Sequence, residues 1–464
     1  MVVPMQDIPR KHFRPTVFKI LATRDRLTAA AGLGTILEIF DGLPISRQLA
    51  ECLPERSSNR SLGSYRLALM QMASFIHGHD CLDDLDEFRE DPYLQELMQG
   101  ETAAARTMGD FLRDFEEEHI DRLRDFLGIL SLDLRKRMKQ TLPPEYAPGH
   151  LRIDIDSTSH EQCGKKMEGL AYNYKNEWCL DSQVCFDEMG LCHDVVLRPG
   201  NTKSGVGAPE QLARVFQGMK NDRKFLSADS AYCNQDLIRL CIAEKIQYTL
   251  TANDATTGWR GLIEQITEWT AWKWSEEDLQ KAEKSGKTLP KVELGKVLWA
   301  PGWAPNIRIQ IVIKRTPVDH ALPLLAGTGT YDYYGVVTNF NLLTHSLQDV
   351  IEFHNKRGNA ERFIREEKYG YDFKHFPCQK LRANHAFLLL GMIAHNILRW
   401  IAYTDQPSKP NFAKKLRRRF VFIPGKVVRH ARQLILRIPE RFRKEVMQLR
   451  EAMGVTLNPS LDTC

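Results

Sequence analysis

The chain has 464 residues, 43% of them hydrophobic, and a net charge of +5. This length and composition exclude a disordered chain and allow a large buried core, which the usual domain size divides into about three domains. The ten cysteines include no C-x-x-C pair, so we expect neither zinc nor a disulfide framework.

The N-terminal segment, residues 1–15, lacks the apolar core of a signal peptide. The most apolar run, Ala386 to Tyr403, is too polar for a membrane span because it is interrupted by His395, Asn396 and Arg399. We therefore expect a cytoplasmic protein that does not enter a membrane.

Residues from Leu27 to about Arg137 have the apolar spacing of helices, without a strand signal. Within them, residues 104–127 predict a short helix, a tight turn at Gly109 and a long amphipathic helix. This pattern is compatible with a helix-turn-helix DNA reader, and an ordinary helical hairpin explains it equally well. Because a helix cannot run through closely spaced prolines, the helical region should end at Pro143, Pro144 and Pro148.

After these prolines the apolar pattern changes from helical to alternating. Residues 151–160 predict a strand that contains the acids Asp154 and Asp156, and two further strands complete a three-stranded meander. A helix, a strand that ends at Asp229, a second helix and another strand follow. The order βββαβαβ predicts a mixed α/β fold.

Residues from about 254 to 320 break this alternation. They are rich in tryptophan and contain a strand at 307–315 with isoleucines on one face. We expect an inserted, largely β subdomain, after which a strand at 333–340 resumes the main sheet.

The helix predicted after that strand carries a polar stripe. Ser346 with Asp349 can cap its start, and Gly370 can end it. Because helical residues three, four and seven apart share a side, one stripe is formed by His354, Arg357, Glu361, Arg365 and Lys368. A solvated charged face is the alternative interpretation.

Asp156 and Asp229 each end a predicted central strand, where open α/β sheets bind ligands, and Glu361 can reach the same place. Three converging carboxylates repel one another unless they bind divalent cations, and oxygen ligands favour Mg²⁺ or Mn²⁺. Two such ions about 4 Å apart can activate water and stabilise the leaving oxygen in phosphodiester cleavage. Asp154 is the main alternative to Asp156, because residues i and i+2 share a strand face.

Bases crowd residues 409–444, whereas acids crowd residues 80–118. This asymmetry indicates a polyanionic partner for the C-terminal end, where we expect paired strands around a turn at Pro424 and Gly425. The expected contacts to the DNA backbone come from Lys414, Lys415, Arg417, Arg418, Arg419 and Arg429. Alternatively, these bases pair with the acidic helices.

Together these features resemble the DDE-class insertion-sequence transposases, in the IS-four-like group and its IS-thirteen-eighty subgroup. The resemblance extends from about residue 100 to 440 and rests on Asp156, Ser157 and Thr158 at a strand end, Asp229 within ADSAY, RPGN at 198–201, and the helix at 354–368. That helix matches the group's Tyr-x2-Arg-x3-Glu-x6-Lys signature in spacing. One position departs from it, because His354 stands at the tyrosine position, where a phosphate contact would become pH-dependent.

The resemblance implies a ribonuclease-H-like catalytic core, interrupted by the β insertion and preceded by an all-α region. It implies that Asp156, Asp229 and Glu361 bind two Mg²⁺ or Mn²⁺ ions and that Arg357 and Lys368 grip phosphates of the transposon end. Family members act on bacterial DNA as synaptic homodimers. They cut double-stranded DNA at terminal inverted repeats, commonly through a hairpin, and join the freed 3′ hydroxyls to target DNA.

Hairpin formation extrudes a base, and an aromatic ring can stack on it. Trp299 and Trp303 in the insertion are candidates for this platform, although tryptophans at such positions more often belong to the core. The expected division of the chain is a helical DNA-binding region at 1–148, the first part of the catalytic core at 149–253, the β-rich insertion at 254–330, the second part of the core at 331–405, and a basic module at 406–464.

Two other functions use the same residues. A ribonuclease-H-like nuclease without strand transfer needs the same three acids. A DNA-binding regulator whose catalytic site has decayed is the alternative from a different class, and the intact acids argue against it.

Overall fold

The structure, a computed structural model, describes residues 18–56, 62–219, 223–318, 331–431 and 433–454. Its N-terminal part is helical, as predicted, apart from a two-residue strand. The elements are β1 (Leu27–Thr28), α1 (Leu33–Asp41), the 3-10 segment Pro44–Cys52, α2 (Ser64–His77), α3 (Leu85–Glu90), α4 (Pro92–Leu97), α5 (Ala105–Arg113) and α6 (Glu117–Thr141).

The predicted turn at Gly109 is wrong, because α5 continues through this glycine. The chain instead turns between α5 and α6, where Glu116 and His119 form a capping box. Both helices pack against the later helix α13 (Leu381–Asp405), and α6 also covers the sheet. α5 and α6 therefore both belong to the core of the protein.

The predicted order βββαβαβ is confirmed. β4 pairs antiparallel with β2 and β5, whereas β2, β6 and β7 run parallel, as in a ribonuclease-H-like sheet. The elements of this part are β2 (Arg152–Glu161), the short edge strand β3 (Ala171–Tyr172), β4 (Trp178–Asp187), β5 (Cys192–Pro199), α7 (Ala208–Gln217), β6 (Phe225–Ala228), α8 (Gln235–Ala243) and β7 (Gln247–Thr251).

The region expected to form the insertion contains strands, and they continue the main sheet in the order β7-β11-β10-β9-β8. The sheet therefore has ten strands in the described part of the chain. The elements here are α9 (Asp254–Thr257), the 3-10 segment Trp259–Gln265, β8 (Thr270–Ala271), α10 (Glu276–Ser285), β9 (Glu293–Trp299), β10 (Ile309–Pro317) and β11 (Tyr331–Thr338).

The last part returns to helices and ends with a hairpin and a helix. The strands predicted around Pro424 and Gly425 are wrong in position, because the residues before Pro424 are helical and the hairpin turn follows β12. β1 joins that hairpin in a three-stranded sheet, so Leu27 and Thr28 lie beside the strand that begins at Gly425. The elements are α11 (Leu347–Asn355), α12 (Gly358–Gly370), α13, α14 (Ala413–Leu416), the π-helical turn Arg417–Val421, β12 (Gly425–His430), β13 (Gln433–Arg437) and α15 (Glu440–Ala452).

The apolar helix α13 lies in the core. By length and composition it could cross a membrane, but 94% of its most apolar window is buried inside the protein. The polar residues of this helix bind the backbone around the turn between β4 and β5. His395 bonds the carbonyl of Gly190 at 2.9 Å, and Asn396 bonds both the amide and the carbonyl of Cys192 at 2.8 Å. α13 is therefore a core helix that fixes the meander.

The sheet presents different chemistry on its two faces. Ile153 and Ile155 of β2 pack with α7 and α8 in one apolar cluster. Because side chains alternate along a strand, Asp154 and Asp156 point to the opposite face, which α11 and α12 cover. The candidate acids are thus placed between the sheet and the helix pair.

Candidate active site

Asp156 and Asp229 lie side by side where the parallel pairing of β2 with β6 ends. Asp229 follows the last residue of β6, as predicted, but the prediction that Asp156 ends its strand is wrong, because β2 continues to Glu161. In the β2–β6 ladder Ile155 is paired with Ala228, so the next residue on each strand is one of the two acids. Adjacent strands are about 4.8 Å apart, which brings the two carboxylates to one edge of the sheet. This is the carboxyl end of the parallel strands, where α/β sheets bind ligands.

Local backbone bonds orient both side chains. Asp156 accepts a hydrogen bond from the amide of Ser157 at 2.8 Å, and Asp229 accepts one from the amide of Ala231 at 2.8 Å. The second bond caps the 3-10 turn Ser230–Tyr232. In the described part of the chain, the other oxygen of Asp229 makes no hydrogen bond, whereas that of Asp156 is contacted by Arg357.

Glu361 comes from the helix pair α11–α12. The single helix predicted from Ser346 to Gly370 is wrong in one respect, because it is divided near Arg357. At the division, the amides of Arg357 and Ala360 bond carbonyls three residues back, at 3.0 and 2.8 Å. Such tight turns advance about 20° more per residue than an α-helix, so residues before and after the division no longer share one face.

Arg357 lies between two of the acids. Its guanidinium is 3.4 Å from a carboxylate oxygen of Asp156 and 3.9 Å from one of Glu361. Glu361 itself is two-thirds exposed, at 67% of its side chain. Glu361 therefore faces the same opening as Asp156, and a cation already separates the two carboxylates.

The charges of the three acids are felt at Asp156. The pKa of this carboxyl is raised to about 6, mainly by burial, and the nearby charges of Asp229 and Glu361 contribute to the rise. The Ser157 amide and the charge of Arg357 oppose this rise only in part. Asp156 is therefore close enough to Asp229 and Glu361 to be affected by their charges, so ionising all three costs energy. In the described part of the chain, ligand oxygens of the three acids do not all lie within 4.8 Å of one another.

Asp154, the alternative acid, lies deeper. It is 1% exposed and bonded to Arg152 at 2.7 Å. Burial raises the pKa of Asp154 to about 6 despite this partner. Arg152 also donates to the carbonyl of Lys356 at 3.2 Å, so the pair supports the division between α11 and α12. This geometry favours Asp156 as the acid that meets a ligand.

His354 is placed away from the opening. It is 1% exposed, and its ring nitrogens lie 3.3 Å from the Ser227 hydroxyl and 3.0 Å from the Thr251 hydroxyl. Burial, followed by the charge of Arg357, lowers the pKa of His354 to about 4. The phosphate contact expected for His354 does not fit this position, because the ring instead joins α11 to the sheet.

The other cations of the stripe remain on α12. Arg365 is exposed, whereas Lys368 is half-buried. Burial lowers the pKa of Lys368, and the charges of Glu367 and Glu177 act against this. Both lie on the same helix as Glu361 and after the division, so the predicted stripe survives from Arg357 onwards.

The two candidate tryptophans pack in the protein. Trp299 is 7% exposed and belongs to the apolar cluster beneath α7 and α8. Trp303 packs on the same cluster, with the guanidinium of Arg239 5.0 Å from its ring. Trp299 is thus buried in the core, whereas Trp303 is only partly buried.

The C-terminal bases divide into two sets. Arg417 is buried and donates to the carbonyls of Phe75, Ile76 and Gly370. Ion pairs occupy Arg419, which lies 2.9 Å from Asp405, and Arg429, which lies 2.7 Å from Glu96. Within the described residues no ion pair is made by the exposed bases Lys414, Lys415 and Arg418.

Two charged pairs near the site are absent from the sequence predictions. Arg152 pairs with Asp154, and Asp181 pairs with Arg198 at 2.5 Å. Both have a signal in the sequence. The first pair is spaced i, i+2 on one strand face, and the second is a cross-strand pair in the β4–β5 hairpin.

One comparison with known proteins identifies a relationship. A family model described as Transposase DDE domain group 1 matches residues 17–453, nearly the whole chain. No curated protein matches the chain.

Proposed function

Because the chain belongs to the DDE-domain transposases, we propose that it cuts DNA at the ends of a mobile element and joins the freed ends to target DNA. Asp156, Asp229 and Glu361 are the proposed catalytic acids. The observation that carries this proposal is the adjacency of Asp156 and Asp229 on parallel strands, together with the influence of Glu361 on the same carboxyl.

The donor set fits divalent metal ions. Carboxylate oxygens are the ligands that Mg²⁺ and Mn²⁺ prefer, and a divalent cation would remove the repulsion that raises the pKa of Asp156. Asp156, Asp229 and Glu361 would hold the ions. When bound, such ions lower the pKa of an attacking water and neutralise charge on a leaving oxygen.

Cleavage and joining are two displacements at phosphorus. In cleavage, the oxygen of water bonds to phosphorus, the bond from phosphorus to the 3′ oxygen breaks, and that oxygen leaves as a hydroxyl after taking a proton. In joining, the new 3′ hydroxyl attacks a target phosphodiester and loses its proton, and the 3′ oxygen of the target leaves. The acids orient the reacting groups in both steps.

Arg357 and Lys368 are the proposed phosphate contacts, with Arg365 beside them. Without DNA, the guanidinium of Arg357 partly neutralises the charges of Asp156 and Glu361. A DNA phosphate offers the same guanidinium a planar pair of acceptor oxygens. We infer that Arg357 turns from the carboxylates to the phosphate when DNA and metal arrive.

The ends of the chain are proposed to form one DNA-binding unit, combining residues 1–148 with the basic module 406–464. Support comes from β1, which pairs with β12, and from Glu96, which bonds both Arg26 and Arg429. The catalytic core then comprises 149–253 and 331–405, separated by residues 254–330. The protein would act on bacterial DNA in the cytoplasm, as a homodimer that holds two transposon ends.

A strand-transfer assay tests the proposal. Purified protein is incubated with Mg²⁺, a plasmid, and labelled DNA carrying the inverted repeats that flank the gene. Labelled DNA joined to the plasmid is the expected product. Cleavage without joining would reduce the function to that of a nuclease, and binding without cleavage would leave a DNA-binding regulator.

A further inference from the structure

A second group of potential metal ligands lies in the N-terminal helical part, apart from the catalytic acids. It consists of His77 at the end of α2, His79 just beyond, and Glu87 in α3. One ligand atom from each residue can be chosen so that all lie within 4.8 Å of one another. Glu87 oxygens lie 3.8 Å from His77 Nε2 and 3.1 Å from His79 Nε2.

The end of α2 builds this group. Gly78 has φ +104°, a left-handed conformation that glycine adopts without strain, and it reverses the chain between the two histidines. The amides of Gly78 and His79 both bond the carbonyl of Ser74, at 3.0 and 3.1 Å. The two rings therefore leave the helix end together, with centroids 4.4 Å apart, towards α3.

The rings are oriented as ligands. Nδ1 of His79 lies 3.0 Å from the Ser74 hydroxyl, which leaves Nε2 directed at Glu87. Metal-binding histidines usually have such a partner on the second nitrogen. His77 is 7% exposed, yet its ring makes no hydrogen bond in the described part of the chain, since the 3.8 Å contact to Glu87 is too long. The ring nitrogens of His77 are not among the fully buried polar atoms, so they remain accessible to an ion.

We propose that His77, His79 and Glu87 bind one zinc ion, with water in the fourth position. Two imidazoles and a carboxylate are a known zinc ligand set, and imidazole nitrogen disfavours Mg²⁺ and Ca²⁺. Glu87 is 54% exposed, so the ion has a path from solvent.

The ion would brace the two ends of the chain. The ring of His77 lies 5.1 Å from that of Phe422 in the C-terminal part, and the Arg417 side chain lies over Gly78. Zinc at this point would therefore join α2 to α3 and hold them against the residues that enter β12. The expectation that the chain lacks zinc came from cysteine spacing, and the His-x-His pattern carries a different signal.

The test uses the full chain with Asp156→Asn and Glu361→Gln in the background, so that the catalytic acids do not bind the added ion. After treatment with a chelator, the protein is titrated with Zn²⁺ against a chromophoric competitor. One tightly bound Zn²⁺ per chain is expected. The unfolding midpoint should rise by about 2 °C or more at a hundredfold excess of Zn²⁺ over the dissociation constant.

His79→Ala should weaken Zn²⁺ binding at least about 100-fold, and Ser74→Ala about 10-fold or more, since Ser74 orients His79. Glu87→Gln keeps the exposed side chain's shape and tests the site if the alanine variant does not fold. The matched control is His375→Ala, which should leave Zn²⁺ binding unchanged. His375 is an exposed histidine that lies 2.7 Å from Asp372. The proposal is overturned if Zn²⁺ does not bind stoichiometrically. It is also overturned if the His79→Ala and Glu87→Gln variants bind Zn²⁺ as tightly as the wild type. Neither result depends on transposase activity.

Discussion

Two carboxylates on the same strand pair, the buried Asp187 and the half-buried Asp156, show opposite chemistry. Asp187 of β4 is paired with Ile153 of β2, and Asp156 lies further along the same ladder, opposite Val184. Asp187 receives Arg135 at 3.0 Å, His193 at 3.2 Å, and the amides of two residues in the following turn. Asp156 receives one amide and a cation at 3.4 Å.

The pKa values follow from these partners. Burial acts to raise the pKa of Asp187, but the hydrogen bond from His193 and the charge of Arg135 outweigh it, so the pKa lies below its ordinary value. At Asp156 burial prevails, because Asp229 and Glu361 add negative charge instead of removing it. The fold satisfies the charge of Asp187, which is structural. It leaves the charge of Asp156 for a ligand to satisfy, as functional sites commonly do.

The largest expected effect separates these two kinds of acid by activity. Glu361→Gln keeps the size and helix propensity of the side chain but removes a negative metal ligand. Cleavage of labelled terminal-repeat DNA should slow at least ~1000-fold, because about 1.4 kcal/mol of transition-state stabilisation is worth a factor of ten. Asp156→Asn and Asp229→Asn should match it, and Asp154→Asn should cost less. DNA binding, measured by gel shift, should survive.

The control for Glu361→Gln is Glu352→Gln, an exposed glutamate on α11 that bonds Gln348 at 2.7 Å. It should cleave at the wild-type rate. If Glu361→Gln cleaves within tenfold of the wild type while binding DNA normally, Glu361 is not a catalytic acid and its helix face is merely solvated.

The second prediction tests the structural acid. Asp187→Asn leaves the buried Arg135 and His193 facing a neutral amide, and breaking a buried ion pair from one side typically costs about 3 to 5 kcal/mol. The free energy of unfolding from denaturant titration should fall by about 3 kcal/mol. Cleavage per folded molecule should remain at the wild-type rate. A large rate loss in a variant of normal stability would contradict the structural assignment.

The third prediction concerns pH: unlike Asp187→Asn, the substitution Asp156→Asn should stabilise the protein at neutral pH. A raised pKa means that folded Asp156 binds its proton more tightly than the unfolded chain does, so its contribution to stability is lost as pH rises from about 4 to about 6. In EDTA at pH 7.5, Asp156→Asn should therefore be more stable than the wild type by about 1 to 3 kcal/mol, since one pKa unit is worth about 1.4 kcal/mol.

Near pH 4 the stability difference between Asp156→Asn and the wild type should fall to about 0.5 kcal/mol or less, because the folded wild-type carboxyl is then protonated and roughly half of the unfolded carboxyls are. Denaturant titrations at both pH values measure it. An Asp156→Asn variant that is less stable than the wild type at pH 7.5 would show that Arg357 satisfies this carboxylate as fully as Arg135 satisfies Asp187.

The sequence predicted the strand order and the strand-end position of Asp229, because both depend on local signals. Alternation after the prolines indicates strands, and an acid that ends an apolar strand lies at the ligand edge of the sheet whatever the packing. Asp156 was wrongly predicted to end its strand, because β2 continues to Glu161. The extension of the main sheet to ten strands by β8 to β11 could not be predicted in the same way. Whether β9 and β10 form their own sheet or join β11 is decided by pairing between strands, which residue patterns within 254–330 do not contain.

The predicted polar stripe keeps its spacing where the helix is regular and loses it where the helix is divided. Glu361, Arg365 and Lys368 follow the division in the helix and keep their spacing, whereas His354 precedes it and is rotated into the core. Gly358 and Asn359 are weak helix formers, and they lie at the division between α11 and α12. The buried role of His354 depends on hydroxyls of β6 and β7, more than a hundred residues earlier, which no local pattern reveals.

The smallest expected effect extends the comparison from acids to cations in the C-terminal part. Lys414, Lys415 and Arg418 are exposed and make no ion pair among the described residues, whereas Lys426 lies 2.7 Å from Asp25 and belongs with the bound set of Arg419 and Arg429. Cations that the protein has not neutralised remain free to displace counterions from DNA, and each phosphate contact contributes about 0.9 to the slope of log affinity against log salt.

Changing Lys414, Lys415 and Arg418 together to glutamine should therefore reduce that slope by about 2 to 3. The affinity for a DNA duplex is measured by fluorescence anisotropy at salt concentrations between about 50 and 200 mM. The matched triple variant at Arg419, Lys426 and Arg429 removes the same charge, and its slope should change by less than about one because those cations already contact carboxylates. Equal changes in the two variants would mean that DNA competes successfully for the paired cations, so that pairing within the fold does not separate structural charges from functional ones in this part of the chain.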